Sequence, residues 1–171
     1  DQFIDFTKQR KMTFHEAFKP HAPVHTPMAD PFNPQLRSLL IATCLEQNLT
    51  FHRSGTVVTI EGPRFSTRAE SKMFQTWGAD IINMSIATEV ALANEAQIPY
   101  AAVAMSTDYD CWKEDEESVS WDAILEVFKG NADKKTVYCI EWITKNGSPT
   151  LCWYEDRTLW ESILQKINET F

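Results

Sequence analysis

Two aspartates, Asp108 and Asp110, stand two residues apart in "STDYD", directly after the apolar run "YAAVAM". An ionised carboxylate only accepts hydrogen bonds, so it favours an amine or a protonated ring nitrogen. Two carboxylates this close resist ionising together. One that keeps its proton can give it to a leaving group. Two other apolar runs also end in polar groups: "TVVTI" leads into "EGPRFST", and "ADII" leads into "NMS". If all three runs are neighbouring parallel strands, their carboxyl ends gather Phe65, Ser66, Asn83, Met84, Ser85, Asp108 and Asp110 around one crevice. That set suits a flat polar ring carried on a sugar, with Phe65 offering a stacking face. A plainer reading stands beside it. The aspartates cap or solvate a loop, Phe65 packs in a core, and "KEDEE" is a solvated approach to a helix.

Such ends need a scaffold, and the chain supplies its signals in order. Residues 1–32 read as irregular, punctuated by Pro20, Pro23, Pro27 and Pro31, although "DQFID" has the look of a strand tail. A long ordered loop of this kind is often functional. Asn33 and Pro34 then mark an N-cap and first helical position. Leu36, Leu39, Leu40 and Leu45 follow at helical spacing. "TVVTI" is β-branched and reads as a strand. Thr67 and Glu70 form a capping-box pattern for a helix through Trp77, with Gly78 as its C′ residue. "DIINMS" is a short strand, residues 89–96 a helix, and "YAAVAMST" a further buried strand. Residues 120–129 read as a helix and "TVYCIEWIT" as a strand leading to the Asn146-Gly147 turn. "RTLWESILQKI" is amphipathic. The alternation predicts an α/β fold with a mostly parallel or mixed central sheet flanked by helices, in one domain over residues 1–171.

Composition narrows the classes. With 43% hydrophobic and 23% charged residues, the 171-residue chain is an ordinary globular sequence with room for a real core. A net charge of −8 argues against nucleic acid or an anionic membrane as partner. No apolar run approaches the roughly 20 residues of a membrane span, and no signal peptide is visible. Cys44, Cys111, Cys139 and Cys152 form no CxxC or Cys/His cluster, so neither zinc nor another metal is expected. Scattered cysteines read as reduced thiols, and the expected location is the cytoplasm, with the nucleus as a second compartment. No dinucleotide fingerprint, P-loop or GxSxG motif is present.

The stretches "GTVVTIEGPRFSTRAESKMFQTWGADIINMS" and "AMSTDYDCWKEDEE", with "HTPMADPF" earlier, closely resemble the methylthioadenosine phosphorylases. These are the 6-aminopurine branch of the trimeric purine nucleoside phosphorylases. The resemblance runs from Asp1 to about Lys135. It implies a homotrimer that cleaves 5′-methylthioadenosine with inorganic phosphate, giving adenine and 5-methylthioribose 1-phosphate without a cofactor. It also implies roles. Asp108 meets N7 and the 6-amino group and serves as the catalytic acid, with Tyr109 and Asp110 supporting base recognition. Phe65 stacks on the base, Ser66 lies beside it, and Asn83 and Met84 face the nucleoside, Met84 at the ribose. Ser85 helps hold phosphate. His25 reaches into a neighbouring subunit to line the 5′-substituent pocket, and Trp121, Ile124 and Leu125 close over that substituent. An aspartate at the base suits an exocyclic amine, whereas the 6-oxopurine branch presents an amide there.

The sequence departs from that pattern in four places. The glycine-rich strand-end loop and Arg-His pair of the family's phosphate cradle are expected upstream of position 1, so the chain reads as the C-terminal portion of a phosphorylase lacking its N-terminal part. Thr88 stands where a proline is usual, and Trp121 where a small aliphatic residue is usual. Residues 136–157 diverge. The alternatives are a 6-oxopurine or broad-specificity phosphorylase, or an inactive nucleoside-binding or oligomerising fragment.

Overall fold

The computed structural model of the chain describes residues 1–15, 17–20, 22–113, 120, 122–127 and 165. Strand β1 (Gln2–Phe6), helix α1 (Pro34–Glu46), strand β2 (Thr56–Ile60), helix α2 (Arg68–Thr76), strand β3 (Ile81–Asn83) and helix α3 (Ile86–Glu95) follow in that order. The three strands form a parallel sheet in the order β1-β2-β3. Val57 pairs with Phe3 on one side and Ile81 on the other, so β2 is the central strand.

Alternation along β2 sends its side chains to two faces. Val57 faces a cluster built from Phe32, Ile86, Val90, Ala93 and Tyr100, which buries α3. Val58 and Ile60 face Phe74 of α2, with Ile4, Phe6 and Met84 packed against them. A parallel sheet covered on both faces explains why "TVVTI" reads as continuously apolar.

The helix boundaries follow local chemistry. The Asn33 side chain accepts the Leu36 N–H at 2.9 Å, and Pro34 opens α1. All three helices end in Schellman motifs, with Asn48, Gly78 and Gln97 at positive φ. In α2, for example, Gly78 N–H donates to Gln75 O and Ala79 N–H to Phe74 O.

Four expectations need correction or restriction. Residues 1–32 are not wholly irregular, because residues 2–6 form β1. The helix expected over residues 89–96 begins at Ile86, with Ser85 as N-cap; the polar "SIATE" hid a first turn whose Ile86 and Ala87 are buried. The run "YAAVAMST" is not a strand: residues 100–109 join no ladder among the described residues. Its apolar character reports burial only at its start, at Tyr100 and Ala101, while Ala104 is exposed. Tyr100 packs with Phe32 and Val90, while Ala101 packs with Leu36 and Leu39 of α1. The cores that cover these two residues draw on α1, α3 and β2, and an apolar run cannot distinguish packing against a sheet and helices from membership of the sheet. Of the helix expected over residues 120–129, residues 122–127 are helical. The expected strand "TVYCIEWIT", the Asn146-Gly147 turn and the amphipathic "RTLWESILQKI" (apart from Gln165) lie outside the described residues, as does Trp121.

Candidate active site

The loop between β2 and α2 carries Phe65 and Ser66, and one carboxylate holds it from both sides. Arg64 donates Nη1 and Nη2 to the two oxygens of Glu70, each at 2.7 Å. Thr67 N–H donates to Glu70 Oε2 at 2.8 Å, and Thr67 Oγ1 accepts the Glu70 N–H at 3.2 Å. This is the expected capping box. Because Arg64 and Thr67 flank Phe65 and Ser66, Glu70 brackets that pair. The Arg64 guanidinium, followed by the Thr67 amide, pulls the Glu70 carboxyl down to about 2. Phe65 is 43% exposed, so its ring face is not consumed by core packing.

The aspartate loop docks onto this first loop. A 3-10 turn, Asp110–Trp112, follows Tyr109 and packs against α2. The Cys111 thiol donates to Ser66 O at 3.3 Å, and Arg68 Nε donates to Cys111 O at 3.3 Å. Burial pushes the Cys111 thiol up, and the neighbouring Asp110 carboxylate adds to it. Ser66 Oγ, Ser71 Oγ and Asp110 Oδ2 are buried in this seam without a well-aligned hydrogen bond, and the Cys111 thiol lies near enough to Ser71 and Asp110 to feel both. Asp110 itself sits at φ +55°, a conformation that Asp tolerates better than most residues.

Asp108 has a structural task as well. Its Oδ1 accepts the Asp110 N–H at 2.8 Å, and its Oδ2 accepts the Thr107 hydroxyl at 2.6 Å. This is an Asx turn, so the plainer loop-capping reading is correct as far as it goes. The residue is nonetheless exposed, and the Thr107 hydroxyl is a rotor that can accept as readily as it donates. Tyr109 is 57% exposed, with the Lys113 ammonium 3.9 Å from its ring centroid.

The end of β3 completes the arrangement. Asn83 Oδ1 accepts the Thr59 hydroxyl at 2.8 Å. Met84 lies against Gly62: a Cβ on Gly62 would stand 2.7 Å from Met84 Sδ. Ser85 is the N-cap of α3, but its hydroxyl caps none of the first amides. A helix N-terminus with a spare hydroxyl is a natural place for an anion.

The structure therefore joins Phe65 and Ser66 to the Asp108–Asp110 loop through Cys111, and joins Met84 to the first loop through Gly62. His25 is exposed and sits by Phe18, with ring centroids 6.1 Å apart. Ile124 and Leu125 belong to helical residues 122–127, and among the described residues no hydrogen bond ties that turn to the site. Sequence reasoning overlooked Thr59, Glu61, Arg68, Ser71 and Cys111. Glu61 accepts the Lys8 and Gln9 amides at 2.6 and 3.2 Å and the Arg10 guanidinium at 3.2 Å. It thereby ties the segment after β1 to the segment that carries Phe65. Its place immediately before Gly62-Pro63 at a strand end was the available signal.

Comparison with known proteins places the chain in a family. The sequence profile of the phosphorylase superfamily matches residues 1–141. The S-methyl-5′-thioadenosine phosphorylase of Xenopus tropicalis is 51% identical over 138 residues, covering 80% of this chain and 49% of that protein. That of Pyrococcus horikoshii is 49% identical over 134 residues, covering 78% and 50%. A mutant adenosine/methylthioadenosine phosphorylase from Schistosoma mansoni, solved in complex with adenine, superposes with a TM-score of 0.77 at 33% identity. The match covers 98% of this chain and 58% of that one. A second mutant of that enzyme, in complex with methylthioadenosine, gives a TM-score of 0.64 at 39% identity over 75% of this chain and 50% of that one. The chain spans about half the length of the curated relatives it matches. With the profile matched over residues 1–141, relatives at about half identity and the fold in agreement, the chain belongs to the phosphorylase superfamily.

Proposed function

We propose that the protein containing this chain cleaves 5′-methylthioadenosine with inorganic phosphate, releasing adenine and 5-methylthioribose 1-phosphate. The observation that carries this reading is the docked pair of loops. An exposed Phe65 adjoins Ser66, whose carbonyl takes the Cys111 thiol and so brings the Asp108–Asp110 loop against the loop that carries Phe65. A purine with an exocyclic amine supplies donors to carboxylates and a face to a phenyl ring.

In this reading the bond from C1′ to N9 breaks as a phosphate oxygen bonds to C1′. Asp108 gives a proton to N7, so adenine leaves neutral. The Thr107 hydroxyl accommodates either protonation state of Asp108 by rotating. Phe65 stacks on the base, with Ser66, Tyr109 and Asp110 around it, and Asn83 and Met84 face the nucleoside. Ser85, at the N-terminus of α3, contributes to holding phosphate, whose charge stabilises the cationic sugar that develops. Trp121, Ile124 and Leu125 form the 5′ side of the site in the same reading. His25 comes from a neighbouring subunit of a homotrimer, which fits its exposed position on the strap after β1. No cofactor beyond co-substrate phosphate is required, and the cytoplasm, with the nucleus second, is the proposed compartment.

The test is base release by the purified protein, with methylthioadenosine or inosine, with and without phosphate. Adenine release that needs phosphate and exceeds inosine cleavage is the expected result. Faster inosine cleavage would transfer the reading to the 6-oxopurine branch. No base release from a folded sample would overturn the enzymatic reading.

A further inference from the structure

Thr59, next to last in β2, has no exposed surface and lies within a run whose composition reads simply as core. Its hydroxyl nevertheless makes two directional bonds. It accepts the Ala87 N–H at 3.0 Å and sits 2.8 Å from Asn83 Oδ1. The two bonds use the hydroxyl in both of its capacities. A backbone N–H can only donate, so the Ala87 amide occupies one lone pair of Thr59 Oγ1. The Thr59 proton goes to the Asn83 carboxamide, which turns its oxygen to Thr59. The NH2 of Asn83 is then the end left for a ligand.

We infer that Thr59 is a positioning residue that fixes the Asn83 carboxamide as a hydrogen-bond donor to the substrate. The same hydroxyl holds Ala87, in the first turn of α3, in register with Asn83. The N-cap of that helix is Ser85, so one buried hydroxyl sets the relation between Asn83 and the proposed phosphate hydroxyl. This inference rests on the functional reading above for its substrate, but not for its geometry. The ligand atom facing Asn83 is an acceptor: a sugar hydroxyl oxygen or an unprotonated ring nitrogen. The site thus offers an acceptor at Asp110 and a donor at Asn83.

Two variants separate the roles. Thr59→Val keeps the shape but removes the hydroxyl, leaving Asn83 free to flip; Thr59→Ser restores it. Asn83→Asp keeps an acceptor for Thr59 while replacing the outward NH2 with an oxygen. In the purified protein, the side-chain 1H–15N pair of Asn83 is expected to be single and dispersed in wild type and Thr59→Ser, and averaged or doubled in Thr59→Val. For methylthioadenosine, kcat/KM falls about 10-fold or more in both Thr59→Val and Asn83→Asp, chiefly through KM, and recovers in Thr59→Ser. An unmoved Asn83 pair in Thr59→Val, or an Asn83→Asp enzyme with wild-type KM, overturns the inference. Should Thr59→Val fail to fold, Thr59→Ala removes the hydroxyl without adding bulk, and an Asn83 pair unmoved in that variant overturns the inference in the same way. Loss of base release in wild type would overturn the functional reading alone, because the Asn83 spectrum judges Thr59 without it.

Discussion

Replacing Gly62 with alanine acts on the backbone and on the site together, and Gly78 supplies its control. Both glycines have φ in the left-handed region, at +66° and +79°. A Cβ there costs about 1–2 kcal/mol, partly offset by about 0.4–1 kcal/mol from a less flexible unfolded chain. Gly78→Ala meets nothing within 4 Å, so its loss should stay near 1 kcal/mol. Gly62→Ala also meets Met84 Sδ at 2.7 Å, closer than real Cβ atoms approach, so the thioether must move. Methionine is pliable, and an off-rotamer side chain costs about 0.5–1.5 kcal/mol more. The expected loss for Gly62→Ala is therefore about 2 kcal/mol, roughly twice that of its control. Urea denaturation followed by far-UV dichroism measures both. Met84 faces the proposed ribose position, so Gly62→Ala should also raise the methylthioadenosine KM, and Gly78→Ala should leave it unchanged. Equal losses of stability together with an unchanged KM for Gly62→Ala would refute the account of how Gly62 seats Met84.

Asp108→Asn should reduce turnover of methylthioadenosine by about 10²–10⁴-fold with a much smaller change in KM; an unchanged rate in a stopped assay removes Asp108 from the acid role. Glu70 is depressed to about 2 when folded, against about 4.3 unfolded, so its contribution is fully present above about pH 4.3 and is lost as pH falls toward 2. The Arg64 side chain is 62% exposed, so screening keeps that contribution small. Glu70→Gln should flatten the fall of the urea midpoint between pH 5 and pH 2, and an identical profile would contradict the clamp. Glu61→Gln should speed amide hydrogen exchange at Lys8 and Gln9, whose N–H groups hold the Glu61 carboxyl below its usual range; unchanged exchange there would show that the segment is held by other contacts.

What the sequence conveyed best was local. Asn33-Pro34, Thr67 with Glu70, and Gly78 each mark a helix boundary through bonds that span only a few residues, so their meaning survives without the fold. The strand "TVVTI" was legible because β-branching and continuous apolarity agree with a covered parallel strand. The run from Tyr100 failed as a strand because apolarity reports burial rather than pairing, and Tyr100 and Ala101 are buried by packing against α1, α3 and β2. Phe65, Ser66 and Asn83 to Ser85 were legible as strand ends, whereas Asp108 and Asp110 follow a run that joins no ladder among the described residues; the roles given to all of them come from the family resemblance. Thr59 was hidden by its own neighbours: in a row of Val, Val and Ile, a buried threonine looks like one more branched side chain. Its partners are 24 and 28 residues away, so only the register of β2 against β3 brings them together. Ser71 and Cys111 were silent for the same reason, since their meeting depends on how the Asp110–Trp112 turn docks on α2.

Phosphate as the nucleophile is the claim on which the account turns. Incubating the purified protein with methylthioadenosine in 18O-labelled phosphate, and weighing the sugar product by mass spectrometry, tests it directly. The account predicts 5-methylthioribose 1-phosphate carrying all four labelled oxygens, with one adenine released per sugar phosphate. Unlabelled free methylthioribose, or no adenine at all, would contradict it.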